Sequence, residues 1–249
     1  MRDPRSIFML EIRKQEREEG DWARDAYNAL YDQQPIRQLD SFYVWLLDLL
    51  HPGAGCRLLD VSCGVGVLTE FARRRGVRAH GLDVSWSAIR QAARESSATY
   101  VLGDGERLPY REGTFDYVTN IGSLEHFYHM DAGVREMARV LRPQGRAMIL
   151  LPNTYSLFGN ILTAVKRGVT LDDGQPIQRY AALNEWRQLL EGNGLRVTHV
   201  VKYERERPRF WRDIRWYVAH PKPLLRLLVT PFIPLTLAWC FVYICEPDR

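Results

Sequence analysis

Arg57-Leu58-Leu59-Asp60-Val61-Ser62-Cys63-Gly64-Val65-Gly66-Val67-Leu68-Thr69 is the stretch that decides the fold. Arg57 to Val61 is short and apolar, as in a parallel strand covered on both faces. Ser62 to Gly66 reads as a tight turn, and the residues after it as the start of a helix. Gly64 and Gly66 have no Cβ, so the backbone there can turn sharply and let a ligand lie against it. Glycine turns and helix starts present free N–H groups to electron-rich atoms.

Two nucleotide pockets use such a turn. A dinucleotide fold carries G-x-G-x-x-G, but the run from Gly64 is G-V-G-V-L-T, without the third glycine. The S-adenosylmethionine (SAM) pocket of class I methyltransferases carries D/E-x-G-x-G-x-G. Asp60-Val61-Ser62-Cys63-Gly64-Val65-Gly66 resembles it, with Ser62 at the first glycine. On this stretch alone both readings stay open.

The chain of 249 residues can bury a full core as one α/β domain. Its formal net charge of +4 is too mild to argue for nucleic acid. The four cysteines, Cys56, Cys63, Cys240 and Cys245, form no C-x-x-C pair, so neither a disulfide scaffold nor a zinc site is expected. Met1-Arg2-Asp3-Pro4 opens a charged run with no signal-peptide pattern, and a reduced, cytoplasmic protein is the expectation.

Residues 5–20 alternate in charge and read as a solvated helix with i,i+4 pairs. Trp22, Tyr27, Leu30 and Tyr31 recur at helical spacing and read as core aromatics, with a place for Tyr27 or Tyr31 over a cofactor, as part of an N-terminal lid, as the functional alternative. Asp40-Ser41 can cap a helix striped by Phe42, Trp45, Leu46, Leu49 and Leu50. Residues 1–50 are thus expected as a helical lid and 51–249 as the binding domain. Val77 to Leu82 is a second strand ending at Asp83, 23 positions beyond Asp60. A carboxylate at that edge can accept both hydrogens of a ribose diol. Ser85 caps the helix that follows. Thr99 to Leu102 is a third strand before Gly103-Asp104-Gly105, Phe115 to Asn120 a fourth, and Gly145 to Leu151 a fifth. Residues 154–182 are irregular and read as an acceptor lid. A helix from Leu183 and a sixth strand from Leu195 to Lys202 follow.

Leu58–Thr69, Gly81-Leu82-Asp83-Val84-Ser85, Gly103-Asp104-Gly105-Glu106-Arg107-Leu108-Pro109, Phe115-Asp116-Tyr117-Val118 and Leu124-Glu125-His126-Phe127 together resemble the successive motifs of class I SAM-dependent methyltransferases. So does Glu136 to Gly145, with Gln144 where the family usually has glycine. The resemblance spans about residues 40–200 and points to the broad small-molecule and quinone-type subgroup. It implies a Rossmann-like seven-stranded sheet with the last strand antiparallel and helices on both faces. It also implies SAM as cofactor, with Asp60, Ser62, Gly64 and Gly66 on its methionine side. Asp83 would hold the ribose, Val84 would lie against the adenine, Asp104 and Gly105 would read the adenine edge, and Asn120 would face the sulfonium. The function implied is methyl transfer to an O, N or C atom of a small-molecule, sugar or lipid-linked acceptor. A SAM-fold scaffold without chemistry and a NAD-dependent oxidoreductase are the alternatives.

His126 is the candidate general base, set among Glu125, Tyr128 and His129. Quinone-pathway relatives can carry a metal-binding E-x-x-E-H here. Gly122-Ser123-Leu124-Glu125-His126 lacks its first acid, and no metal is expected. Trp239 to Cys245 reads as the last strand of such a fold. The apolar run from Leu224 approaches the ~20 residues of a membrane helix, but Pro231 and Pro234 interrupt it. It is expected as a helix packed near the lid. Residues 205–238 combine arginines with aromatics beside apolar stretches, a pattern that suits peripheral membrane contact. No nucleic-acid partner is expected.

Overall fold

The computed structural model describes residues 7–14, 21–33 and 36–248. Its elements run β1 (Met9–Arg13), α1 (Asp21–Gln33), α2 (Asp40–Leu50), β2 (Arg57–Val61), α3 (Val67–Arg74), β3 (Arg78–Asp83), α4 (Trp86–Glu95), β4 (Thr99–Leu102) and β5 (Phe115–Ile121). Then come α5 (Met130–Val140), β6 (Leu141–Pro152), α6 (Leu162–Arg167), β7 (Ile177–Ala181), α7 (Leu183–Glu191), β8 (Leu195–Tyr203), α8 (Trp211–Ala219), α9 (Pro221–Val229) and β9 (Cys240–Pro247). Seven strands form one sheet in the order β4-β3-β2-β5-β6-β9-β8. β9 runs antiparallel to both its neighbours, while the pairs from β4 across to β6 are parallel. This is the Rossmann-like sheet with an inverted last strand.

Successive residues of β2 point to opposite faces, and both faces are covered. Leu59 and Val61 pack with Val134 and Met137 of α5 and Trp186 of α7. Leu58 packs with Phe42 and Leu46 of α2 and Leu68 and Ala72 of α3. Leu58 and Leu59 are fully buried, and each such burial stabilises by about 1.5–3 kcal/mol. The strand order reverses direction at β2, between β3 and β5, so the carboxyl ends of β2, β3 and β5 flank a crevice.

Four sequence expectations change. Residues 9–13, expected in a charged helix, form β1, which pairs antiparallel with β7 from Met9↔Ala181 to Arg13↔Ile177. The alternating charges satisfy an i,i+4 pattern, but Arg13 instead bonds Glu11 two residues away. Residues 15–20 lie outside the described residues. Ser41 does not cap α2: Leu39 holds that position, and the Ser41 amide and hydroxyl both donate to the buried Asp213 on α8. Residues 154–182 are more ordered than expected, with a π-helical turn Leu157–Ile161, then α6 and β7. The apolar C-terminal run is divided into α9, the 3-10 turns Thr230–Phe232 and Leu235–Leu237, and β9. No helix among the described residues is long and apolar enough to cross a membrane. α9 does sit beside the 154–182 segment: the Arg226 guanidinium lies 4.0 Å from the Trp239 ring and 5.9 Å from the Phe158 ring.

Candidate active site

A cavity of about 800 Å³ opens at the carboxyl ends of β2, β3 and β5, within the size range of cofactor and ligand sites. Asp60, Ser62, Gly64, Asp83, Val84, Asp104, Gly105 and His126 all line it. The turn after β2 places three residues at left-handed φ: Ser62 at 61°, Gly64 at 53° and Gly66 at 72°. Ser62 stands where the resembled motif has glycine and adopts, with a side chain, a left-handed conformation that favours glycine. A Cβ on Gly64 would lie 2.7 Å from the Tyr31 hydroxyl, so α1 closes down on this turn. Gly66 stands behind the wall; its missing Cβ makes room for the ring of Tyr100.

Two carboxylates form the floor. Asp83, at the end of β3, accepts the Gly64 N–H and the Ser85 N–H at 2.8 Å each, one on each oxygen. The turn is thus hung on the residue expected to hold the ribose. Burial pushes the Asp83 carboxyl up to about 6, against those two N–H groups. Asp60 accepts the Thr119 hydroxyl at 2.7 Å. Burial, with the charge of Asp83 adding to it, pushes Asp60 up to about 7. Two buried acids without a cationic partner among the described residues suit a ligand that brings its own positive charge and hydroxyls. SAM does both, with a sulfonium, an ammonium and a ribose diol. Val84, Asp104 and Gly105, expected at the adenine, line the same cavity. Asp104 Oδ1 accepts the Glu106 N–H at 2.8 Å. A Cβ at Gly105 would strike the Phe127 ring and meet Val61 Cγ1 at 3.1 Å.

Asn120 is a correction. It was expected at the sulfonium, but it is fully buried and lies outside the cavity lining. Its amide donates to Val61 O at 3.2 Å and its oxygen accepts the Leu124 N–H at 2.9 Å. It staples β2 to the turn Leu124–His126 that carries the acceptor-side residues.

On that turn Glu125 and His126 both face the cavity. His126 Nδ1 contacts Ile177 O at 2.5 Å. A carbonyl only accepts, so Nδ1 carries the proton and Nε2 is bare. Burial holds the imidazole below its ordinary range, which keeps it neutral. Glu125 Oε1 lies 3.9 Å from Nε2. Burial pushes the Glu125 carboxyl up to about 8, and its Oε2 has no hydrogen-bond partner among the described residues. Gln178 Oε1, on β7, is likewise buried without a partner and lines the same cavity.

The 154–182 segment supplies the rest of this wall through Ser156, Leu171, Asp173 and Gln175. Tyr27 of α1, also in the wall, donates to Gln175 Oε1 at 3.4 Å. Arg179 ties the parts together: it donates to Phe127 O at 2.5 Å and to Glu11 of β1 at 2.6 Å. Glu106 accepts the Tyr128 and His129 N–H groups. Gln178 and Arg179 were missed in the sequence because each is a polar residue outside any motif, marked only by its buried position in β7; Glu106 lies inside the Gly103–Pro109 motif, but its side-chain role was not assigned there. Among the described residues no group of three or more His, Cys, Asp and Glu could hold a metal ion.

The geometry meets its parallel among known proteins. The family described as "Methyltransferase domain" matches residues 59–149, the span from β2 to β6. The chain contains a stretch that matches this methyltransferase domain family across the cofactor-facing strands. It is similar to the methyltransferase GfsG of Streptomyces halstedii, 32% identical over 173 residues that cover 66% of this chain and 61% of the relative. It is similar also to the ubiquinone biosynthesis O-methyltransferase of Ralstonia nicotianae, 34% identical over 118 residues, 45% of this chain and 50% of that one. The chain thus spans about half to three-fifths of the length of these two relatives. Among solved structures, a chain of the complex between the Haloferax volcanii Trm112 methyltransferase activator and a methyltransferase aligns with a TM-score of 0.63 at 16% identity, covering 91% of this chain and 98% of that chain. The [4+2]-cyclase SpnF aligns at 0.61 and 18% identity, covering 84% and 81%. These two likenesses show the fold that the methyltransferase domain adopts. A cyclase among them shows why the chemistry has to be argued from the residues of the site.

Proposed function

We propose that the protein transfers the methyl group of SAM to an O, N or C atom of a small-molecule acceptor. One observation carries this: a single cavity holds the paired acids Asp60 and Asp83 beneath the glycine turn, and also two partnerless oxygens, Glu125 Oε2 and Gln178 Oε1. The acids are the cofactor side. The partnerless oxygens are the acceptor side, because a buried polar atom left unmade costs about 1–3 kcal/mol and a bound hydroxyl or amine would relieve it.

SAM, when bound, supplies a methyl group on a cationic sulfur that leaves as a neutral thioether. The protein's part is to align the acceptor and exclude water. Asp83 takes the ribose diol on the lone pairs left free by Gly64 and Ser85. Asp60 supplies negative charge on the methionine side. Val84 packs on the adenine and Asp104 reads its edge, while the left-handed turn at Ser62 and Gly64 brings backbone close to the cofactor. Gln178 Oε1 accepts a hydrogen from the acceptor. His126 Nε2, held bare by the Nδ1 bond to Ile177, takes the proton that an oxygen acceptor must lose. Glu125, protonated at neutral pH, adds no charge beside it. α1 and residues 154–182 act as the lid.

Within the small-molecule class, a lipid-linked acceptor is favoured. Phe42, Tyr203, Leu171 and Trp239 give the cavity an apolar wall beside the polar oxygens. The test is methyl transfer from methyl-labelled SAM to lipid and aqueous cell extracts. Label in a small molecule, absent with His126→Asn protein if the acceptor atom is oxygen, supports the reading. A protein that binds SAM yet labels neither extract overturns it.

A further inference from the structure

Residues 204–239 carry seven Arg and Lys and three acids. All three acids are turned inward. Glu204 is buried, accepting from Arg226 at 2.7 Å and from the Trp239 N–H at 2.6 Å. Glu206 is buried, accepting the Tyr203 hydroxyl at 2.7 Å. Asp213 is buried against Ser41. The outward charge is therefore of one sign, with Arg207, Arg212, Arg215 and Lys222 exposed.

The apolar side chains here do the reverse and point out. On α8, Asp213 and Tyr217 face inward, while Trp211, Ile214 and Val218 follow i, i+3, i+7 spacing along an exposed stripe. Trp211 is 71% exposed and Val218 72%. On α9, Leu225 and Leu228 are exposed, and Phe232 just beyond is 84% exposed. α9 buries none of its residues fully. Such a collection is larger than the scattered apolar residues of an ordinary surface. Val165 and Val169 at α6 are exposed too, next to Lys166 and Arg167.

The surface connects to the cavity. Tyr43 lines the cavity and stacks on Phe71 at 6.2 Å, and Phe71 lies 6.3 Å from Phe210, the residue before α8. Trp239 lines the cavity and lies under Arg226 of α9.

We infer that α8, α9 and the turn at Phe232 dock on the surface of an anionic lipid bilayer, with the aromatic and aliphatic side chains entering the headgroup boundary and the arginines and Lys222 meeting lipid phosphates. Aliphatic side chains gain nothing against a nucleic-acid backbone, whereas cationic residues interleaved with Trp, Phe and Leu match both zones of a membrane interface. The docking stands on this surface alone. Its use, to admit a lipid-linked acceptor, rests on the methyl-transfer reading above.

The test is flotation of the full chain with vesicles of phosphatidylcholine, alone or with about 30% phosphatidylglycerol. The protein floats with the anionic vesicles and is released by raised salt. The paired changes Trp211→Ser with Phe232→Ser, and Arg212→Glu with Lys222→Glu, each lower partitioning by about tenfold or more. Circular dichroism and S-adenosylhomocysteine (SAH) binding stay as in the parent. Failure of the parent to float with either vesicle overturns the inference, as does flotation of both variants like the parent. So does a parent dimer that Trp211→Ser with Phe232→Ser dissolves without any vesicle binding, which would assign the face to a second copy. Flotation together with absent SAH binding would keep the docking and remove the methyl-transfer reading.

Discussion

Asp83→Asn separates the floor of the site from the rest of the fold. Each oxygen of Asp83 already accepts one backbone N–H, from Gly64 and Ser85, at 2.8 Å. Each keeps a further lone pair for a ribose hydroxyl. Asparagine keeps one acceptor oxygen and loses the charge, so one charge-assisted bond to the ribose disappears. Such a bond contributes about 1.5–3 kcal/mol, roughly a 10- to 150-fold rise in Kd. The new amide also presents N–H to an N–H of Gly64 or Ser85, which destabilises the fold by about 1–3 kcal/mol. At this chain length each kcal/mol moves Tm by roughly 2–4 °C. The assay is calorimetric titration with SAH below the variant's own melting range, with a thermal melt as control. A folded variant whose Kd stays within about twofold of the parent would refute the assignment of Asp83 to the cofactor.

Three further outcomes are expected. SAH affinity, measured by calorimetry between pH 8 and pH 5, begins to fall near the free Asp60 carboxyl value of about 7 and falls further through the Asp83 value of about 6. The sign follows because ribose hydroxyls favour the ionised acid, so binding releases protons; Asp83 alone gives a loss of about tenfold at pH 5, and a flat profile would exclude ionised Asp83 from binding. His126→Asn leaves the SAH Kd unchanged and lowers kcat by about 10²–10⁴-fold on an oxygen acceptor; steady-state kinetics with an unchanged kcat would remove the base. Ser62→Gly relieves the left-handed strain at φ 61°, of about 1–2 kcal/mol. The greater freedom of glycine in the unfolded chain offsets about 0.5–1 kcal/mol of that. A small rise in Tm with unchanged SAH binding is expected, and a fall in Tm would show that the Ser62 side chain is needed.

Much of the central sheet was legible because its strands are local signals. Val77 to Leu82 and Thr99 to Leu102 are apolar runs closed by turn residues, and they appear as β3 and β4 with shifts of a residue or less. Ser85 caps α4 as expected, accepting the Ala88 N–H. The inverted last strand came from the family resemblance and is observed as β9. What was hidden depends on distant partners. β1 pairs with β7 across more than 160 positions, and its five residues carry no strand signature that outweighs the charge pattern around them. The lid wall at Gln178 and the clamp at Arg179 exist only once that pairing forms. Asn120 failed differently: a buried amide at a strand end fits a ligand contact or a backbone staple, and only the positions of Val61 and Leu124 separate the two. Side-chain interactions of Trp22 lie outside the described residues.

Calorimetric titration of the purified protein with SAM and SAH, with NADH as control, tests the central claim most directly. Micromolar binding of both adenosyl ligands and none of NADH is expected from the two-acid floor at Asp60 and Asp83. A folded protein that binds neither SAM nor SAH, or that binds NADH in their place, would contradict it.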